Sequence, residues 1–380
     1  MNGGTPGAGL RTTQVIRVRR LRMDWSLLTV TVSLCLLGLV TLYSDAGSPL
    51  IEGSPRVFRM QALFMVLGFV LMGTMTLIDP RFYERVAYLV FGAVLVLLVI
   101  VGVTGLIRGG AQRWIPLGPF HLQPSELAKL ALVLALARFF AHRPKEQGWG
   151  LRDLAVPGGI FLLPMAFLIF KQPDLGTSLF LLFVFAAMSF AVGLRWRTMA
   201  VVGLIAVLAT PIAYKFLLDD YQRERIDVVL RPDADPRGKG YQSIQGRYAI
   251  GSGQFFGKGW GEGTQGRLRF LPEQHTDFIF SVYAEEQGFV GCVLALSLYF
   301  GQMLLGLWIA WNARDRFGSI LAIGVVAVLF CQVFINLGGV LGLLPVTGVT
   351  LPFMSYGGSS VLTLLGGVGM LMSVSVRRRS

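Results

Sequence analysis

The sequence predicts an all-α, polytopic membrane protein with about ten transmembrane helices and a large extracytoplasmic loop between the seventh and eighth. Three observations carry this. Of 380 residues, 54% are hydrophobic and only 14% charged, with mean hydropathy +0.63; a soluble chain exposing that much apolar surface would aggregate. The apolar residues fall into ten runs close to the ~20 residues that cross a bilayer core. The basic residues gather in alternate short connections, the pattern that fixes orientation in a membrane.

The chain opens with a glycine-rich and then arginine-rich segment, residues 1–24, carrying Arg17, Arg19, Arg20 and Arg22. The apolar run that follows is too long for a signal-peptide core and has no small-residue cleavage site, so it reads as a retained first span. The expected spans are 25–44, 58–78, 83–106, 125–141, 154–170, 174–193, 198–218, 277–311, 317–344 and 358–376. They form one catalytic membrane domain, 25–376, with the extracytoplasmic loop at 219–276 and a short basic tail at 377–380. Arg81, Arg85, Arg143, Lys145, Arg152, Arg195, Arg197, Arg314, Arg316 and the terminal arginines fall on one side, which is therefore cytoplasmic and holds both termini.

The +13 formal charge does not indicate nucleic-acid binding, because the basic residues are scattered in short loops and at the termini rather than gathered in a stripe. Cys35, Cys292 and Cys331 lie singly in apolar runs, with no metal-ligand spacing and no disulfide framework.

Parity places the loops after odd-numbered helices outside the cell, and the unusual sequences all sit there. The first, RWIPLGPFHLQPSELAKL, begins with the interfacial pair Arg113 and Trp114. Pro124 to Lys129 read as a helix start with Ser125 near its N-cap, and Glu126 and Lys129 share a face at i, i+3. An ion pair easing a helix into lipid accounts for those two; a polar cavity wall, with Arg113 and Lys129 facing phosphate, is the functional alternative. The second, KQPDLGTS, breaks a hairpin at Pro173 and starts a helix at Asp174, where an acid suits the helix dipole. Lys171 and Gln172 beside it exceed what a cap needs.

The third is a glycine-dense stretch, YQSIQGRYAIGSGQFFGKGWGEG, with Arg247 and Lys258. Glycine permits close approach of backbone to phosphate or sugar, but the spacing is not that of a P-loop. It runs into LPEQHTDFIFSVYAEEQGFVG, which brings His275, Thr276 and Asp277 together at a helix start and carries Glu285 and Glu286 into an apolar run. Acids in hydrocarbon are costly and usually face a cavity. A partly desolvated Asp277 suits proton abstraction; Glu285, two turns on, could line the same cavity or pair with a base elsewhere in the bundle. The last, LPVTGVTLPFMSYGGSS, precedes the tenth span. Ser355, Gly357, Gly358 and Ser359 suit either an anion-binding turn at a helix N-terminus or close helix packing.

The working face is thus outside, where no ATP is available, so an enzyme there needs a substrate carrying its own activation. A transporter is the rival class, but the ionisable residues cluster on one side and no inverted repeat is evident. A non-catalytic scaffold fits the concentration of polar motifs less well.

Taken together, AQRWIPLG…QPSELAKL, KQPDLGTS, GKGWGEGTQ, LPEQHTDFIFSVYAEE and LPVTGVTLPFMSYGGSS resemble the SEDS family (shape, elongation, division and sporulation) from residue 25 to 376. Gln274 and the YAEE run are more similar to its elongation branch than to its division branch, and Gln254 stands where the family often has a fourth residue of GSGG. The resemblance implies a peptidoglycan glycosyltransferase of the bacterial inner membrane that polymerises lipid II into a growing glycan strand. It implies a class B penicillin-binding protein as partner and a divalent cation, Mg²⁺ or Mn²⁺, as cofactor. It also implies that Asp277 is the essential aspartate and that Arg113, Gln123, Glu126 and Lys129 occupy the family's polar positions. On that reading Asp277 is the general base, and Arg113, Lys129 and Lys171 stabilise the departing pyrophosphate. A lipid II flippase is the alternative within the same architecture.

Overall fold

The computed structural model describes residues 23–46, 54–108, 111–117, 120–216, 218, 220–230, 241–264 and 274–378. The basic tail before residue 23, the start of the LPEQ motif at 271–273 and the final two residues lie outside these. The helices are α1 (Trp25–Ala46), α2 (Ser54–Leu77), α3 (Pro80–Thr104), α4 (Pro124–His142), α5 (Leu151–Pro157), α6 (Leu163–Lys171), α7 (Leu175–Ala191), α8 (Trp196–Phe216), α9 (Asp220–Leu230), α10 (Tyr241–Ser252), α11 (Ile279–Trp311), α12 (Arg316–Val340) and α13 (Gly358–Val376). A π-helical turn, Gly158–Leu162, joins α5 to α6, so 151–171 runs as one rod around its internal Pro157. Counting that rod once, eight helices among the described residues are long and apolar enough to cross a membrane. The 19-residue α4 and the 17-residue α7 complete the ten expected spans.

α12 and α13 form the centre: 78% and 89% of their most apolar windows are buried, against 28–39% for α1, α2, α3 and α11. The outer helices therefore present apolar side chains to lipid while the inner two meet protein on nearly every face. Small residues allow this. A Cβ on Gly369 of α13 would stand 2.6 Å from the Met72 carbonyl oxygen of α2, so the two helices touch backbone to backbone.

Three local expectations change. Residues 106–122 do not form a plain loop. They fold as a three-stranded antiparallel sheet, β1 (Leu106–Arg108), β2 (Ala111–Leu117) and β3 (Phe120–Leu122), in that order. Ser125 lies near the N-cap of α4 as expected, two residues after the capping Gln123, with Pro124 at the first helical position; the Ser125 hydroxyl is buried without a hydrogen-bond partner among the described residues. The 219–276 loop contains α9 and α10. Asp277 lies in a turn ahead of α11, which begins at Ile279. α11 itself changes direction at Gly288, where φ 62° and ψ −162° interrupt the helical ladder.

Asp24 and the Arg377–Arg378 pair, near the two limits of the described residues, lie at one end of the bundle. Asp24, just before α1, pairs with Arg378 at 3.4 Å, and Asp79, capping α3, pairs with Arg377 at 3.6 Å. The helices that start there and those that return carry the unusual loops to the other end.

Candidate active site at the loop end of the bundle

Asp277 is held by its neighbours' backbone. Three consecutive carbonyls, those of His275, Thr276 and Asp277, accept hydrogen bonds from Tyr356 N–H (2.8 Å), Ser355 Oγ (2.6 Å) and Asn336 Nδ2 (3.1 Å). Asn336 also donates to the Val349 carbonyl at 2.8 Å, and Leu351 N–H donates to Ser355 Oγ at 2.8 Å. Phe278, fully buried, packs with Ala249 of α10 and Val340 of α12, and Gly246 lies directly over its ring. The turn is thus clamped between α10, α12 and the 344–357 loop. The half-exposed carboxylate of Asp277 emerges beside Gly348, its Oδ2 3.9 Å from where a Cβ on that glycine would stand. Gly348 has φ 77°, a conformation that suits glycine alone.

The KQPD turn reaches the same loop from the other side. Asp174 caps α7 through Thr177 N–H at 3.1 Å and accepts from Thr177 Oγ1 at 2.9 Å. Arg113, projecting from β2, donates to the carbonyls of Gln172 (3.0 Å) and Pro173, and its guanidinium lies 3.6 Å from Asp174. A Cβ on Gly176 would fall 2.6 Å from the Thr347 side chain and 2.9 Å from its carbonyl oxygen. Gly176, two residues after Asp174, and Asp277 therefore meet adjacent residues of one short segment, Thr347–Gly348, from elements far apart in sequence. Lys171 points elsewhere: it is exposed, with its ammonium 5.7 Å from the Phe167 ring.

The start of α4 closes the next side. Lys129 is 1% exposed, bonded to Glu126 Oε1 at 2.7 Å and seated 4.7 Å over the Phe180 ring. Glu126 Oε2 is buried with no hydrogen-bond partner among the described residues. Gln123 N–H donates to Ser359 Oγ at 3.1 Å, and that hydroxyl donates to the His121 carbonyl at 3.0 Å. Gly357 N–H is taken by Gln61 Oε1 at 3.2 Å, while Gln61 Nε2 donates to the Ser355 carbonyl at 3.0 Å. Gly358 packs on Phe64. The Gly-Gly-Ser-Ser turn is consequently engaged with α2 and β3, and its Gly357 N–H is not open to an anion. Phe353, in the same loop, is buried at φ 63°, a strained conformation for an aromatic residue that its surroundings must enforce.

Lys258 and Glu285 pair with each other. Glu285 is 0% exposed; its Oε1 accepts from Lys258 Nζ (2.5 Å), Thr264 N–H (2.9 Å) and Thr264 Oγ1 (2.9 Å). Glu286 accepts from Ser44 Oγ of α1 (2.5 Å) and Gly261 N–H (3.2 Å). Lys258 and Gly259 N–H groups bond to the carbonyls of Glu285 and Glu286 at 3.0 and 3.1 Å. These two acids lock the glycine-rich loop onto α11, and the close approach explains its glycines.

The residues that sequence reading missed are polar ones within apolar runs. Asn336 and Gln332, four apart on α12, face the site loop; Gln332 donates to Thr350 Oγ1 (3.2 Å) and Ser360 Oγ (3.1 Å). Gln61 does the same from α2. Their signal was available, since buried amides in spanning helices are costly unless bonded. Arg247 of α10, against Gly342, is an exposed cation on the helix that packs over Phe278. Among the described residues no three His, Cys, Asp or Glu side chains stand together as a metal cage.

Comparison with known proteins places this arrangement. The family model for the cell cycle proteins FtsW, RodA and SpoVE matches residues 24–380. The chain is 39% identical over 360 residues to the peptidoglycan glycosyltransferase MrdB of Escherichia coli K12, covering 95% of each chain. It superimposes with TM-score 0.80 and 37% identity on a chain of a solved peptidoglycan synthase complex in which polymerization and crosslinking are coordinated, covering 93% of this chain and 98% of that one. The rod shape determining protein RodA of Thermus thermophilus matches with TM-score 0.70 and 33% identity over 95% of this chain and 99% of that one.

Proposed function

The chain belongs to the FtsW–RodA–SpoVE family, the SEDS proteins, and from that premise we propose how its loop-end site makes glycan. It is a peptidoglycan glycosyltransferase of the elongation type and a multi-span membrane protein. The proposal concerns the substrate, the residues and the partner.

The substrate is lipid II, which brings its own leaving group and so needs no nucleotide. Asp277 takes the proton from the 4-hydroxyl of the incoming GlcNAc. The oxygen attacks C1 of the MurNAc at the lipid-linked end of the growing strand, the C1–phosphate oxygen bond breaks, and undecaprenyl pyrophosphate leaves with inversion at C1. The observation that carries this is the clamped HTD turn: three bonded carbonyls fix the backbone of Asp277 and leave its carboxylate as the directed group.

Arg113 and Lys129 are already engaged, by the 172–174 turn and by Glu126. Their part is to shape the wall and set its positive field. Arg247, exposed beside Gly342, is the better-placed cation for a phosphate oxygen. A divalent cation fits this donor set as one carried in by pyrophosphate and held by a single carboxylate such as Asp277, since the described residues form no protein cage; when bound it would neutralise charge on the leaving group. The orientation we propose has both termini in the cytoplasm and this site outside. The partner is a class B penicillin-binding protein, supported by the likeness to a synthase complex.

The test is reconstitution with lipid II, the partner and Mg²⁺ or Mn²⁺, reading glycan ladders on a gel. Asp277→Asn and Asp277→Ala, folded as shown by unchanged thermal unfolding, should lose polymerisation by about 10²–10⁴-fold. Ladders at the wild-type rate from either variant would remove Asp277 as the base. Lipid II crossing liposomes without any ladder would favour the flippase.

A further inference from the structure

At the end of the bundle that carries Asp24 and Arg378, three stretches far apart in sequence surround one open cavity of about 470 Å³. Arg81 and Arg85 come from the first turns of α3, Arg138 from the last turns of α4, Arg314 from the α11–α12 connection and Arg316 from the first turn of α12. Two carboxylates also line it: Asp315 caps α12 through Gly318 N–H at 2.7 Å, and Glu84 lies 3.6 Å from His142 Nδ1, which is itself 3.0 Å from the Arg138 carbonyl oxygen. Five arginines against two acids leave the lining at a formal +3 with His142 neutral. Arg138 is already fixed, donating to the Arg85 carbonyl at 2.8 Å and lying 4.5 Å over the Tyr88 ring. Among the described residues, the guanidinium groups of Arg81, Arg85, Arg314 and Arg316 have no ion-pair or hydrogen-bond partner.

Orientation in the membrane requires only a count of basic residues in the loops. It does not require that five guanidinium groups converge on one cavity lined by only two acids. Guanidinium groups recognise phosphate oxygens by paired hydrogen bonds, and basic pockets between spanning helices at the cytoplasmic level suit anionic lipid head groups. The surroundings specify a lipid rather than a soluble anion: on α3 beside the cavity, Phe82 and Leu89 are 51% and 73% exposed, an apolar flank along which acyl chains can lie.

We propose that this cavity binds the phosphodiester head group of an anionic phospholipid. It is separate from the loop-end site by the length of α3, α4 and α12, so the proposal does not depend on the polymerisation mechanism.

The test uses purified, delipidated full-length protein in detergent, with lipid retention read by native mass spectrometry. The probes are dioleoylphosphatidylglycerol, dioleoylphosphatidylcholine and inorganic phosphate. The glycerol lipid should be retained over the choline lipid and should resist millimolar phosphate. Arg85→Gln with Arg314→Gln should weaken it about 30-fold, at about fivefold per arginine. Arg152→Gln with Arg197→Gln, two exposed basic positions at the same end but outside the cavity, should leave it unchanged. Thermal unfolding checks each variant, and Arg81→Gln with Arg316→Gln replaces the first pair if that pair does not fold. Equal retention of the two lipids, or equal weakening by the outside pair, overturns the proposal. Displacement by phosphate without a lipid preference overturns it in favour of a soluble anion.

Discussion

Asn336→Leu separates the positioning of Asp277 from its chemistry. The Asn336 amide donates two hydrogen bonds, to the Asp277 carbonyl at 3.1 Å and the Val349 carbonyl at 2.8 Å. Leucine has the same branched skeleton of four side-chain heavy atoms, with bulkier methyl groups at its tip, and donates none. Hydrogen bonds between membrane helices average ~0.6 kcal/mol, and a buried acceptor left unpaired costs ~1–3 kcal/mol. Asn336 Oδ1 has no hydrogen-bond partner among the described residues, so its removal offsets part of the loss. The net destabilisation is about 1–2 kcal/mol. The kinetic effect should be larger, because the released carbonyl is that of the proposed base and a shift near 1 Å can cost ~10²-fold. We expect kcat for lipid II polymerisation to fall by about 10–100-fold with KM changed little. Gln332→Leu is the comparison. It also loses two bonds, to Thr350 and Ser360, but the Thr350–Ser360 hydroxyl contact of 2.8 Å remains and the HTD turn is untouched. Its stability loss should match while kcat falls by less than about threefold. The assay is initial polymerisation rate against lipid II concentration, with thermal unfolding of each variant. A folded Asn336→Leu protein at the wild-type rate, or a Gln332→Leu protein equally impaired, would refute the reasoning.

Two further substitutions test the glycine-rich loop. Glu285→Ala removes a fully buried carboxylate that holds Lys258 and Thr264; breaking such a pair costs about 3 kcal/mol, somewhat less here because Lys258 is 28% exposed and can hydrate. Thermal unfolding should shift down by several degrees, and Glu285→Gln, which still accepts from Thr264, should shift it less; equal shifts would contradict the accounting. Gly257→Ala should be far worse than Gly259→Ala. Both have positive φ, but a Cβ at Gly257 would stand 2.0 Å from the Glu286 carbonyl oxygen whereas at Gly259 the nearest atom is a flexible Glu262 methylene at 3.9 Å. The second change should cost only backbone strain of about 1–3 kcal/mol, and similar yields of folded protein from the two would argue against the loop's placement.

Both halves of the site drew on the same physical signal, and only one half was read from it. The acids in α11 stood out because carboxylates are rare in apolar runs, and Asp277 stood out because it joined His275 and Thr276 at a helix boundary. The amides of Gln61, Gln332 and Asn336 are also rare in such runs, yet an uncharged residue weakens hydropathy too little to interrupt a span. Glu285 shows the limit of the signal from the other side. Its burial was legible, but whether it faced a cavity or a lysine depended on a loop 27 residues earlier folding back onto it.

The sequence by itself determined that this chain spans the membrane about ten times, because bilayer thickness converts apolar run length directly into helices. It determined the family, because five polar blocks recur in order, and it marked the end of the bundle where they meet, because alternate loops share a side. Only the tertiary structure decided which polar groups act together. The Thr347–Gly348 segment meets Gly176 and Asp277, Arg113 reaches the KQPD turn from a strand, and five arginines from three separate stretches of the chain share one cavity. Run length and charge count are properties of neighbours along the chain, whereas these contacts join residues tens to hundreds of positions apart. They are fixed by which helices pack at the centre, and that is set by side-chain shape and small-residue contacts that no single stretch of sequence contains.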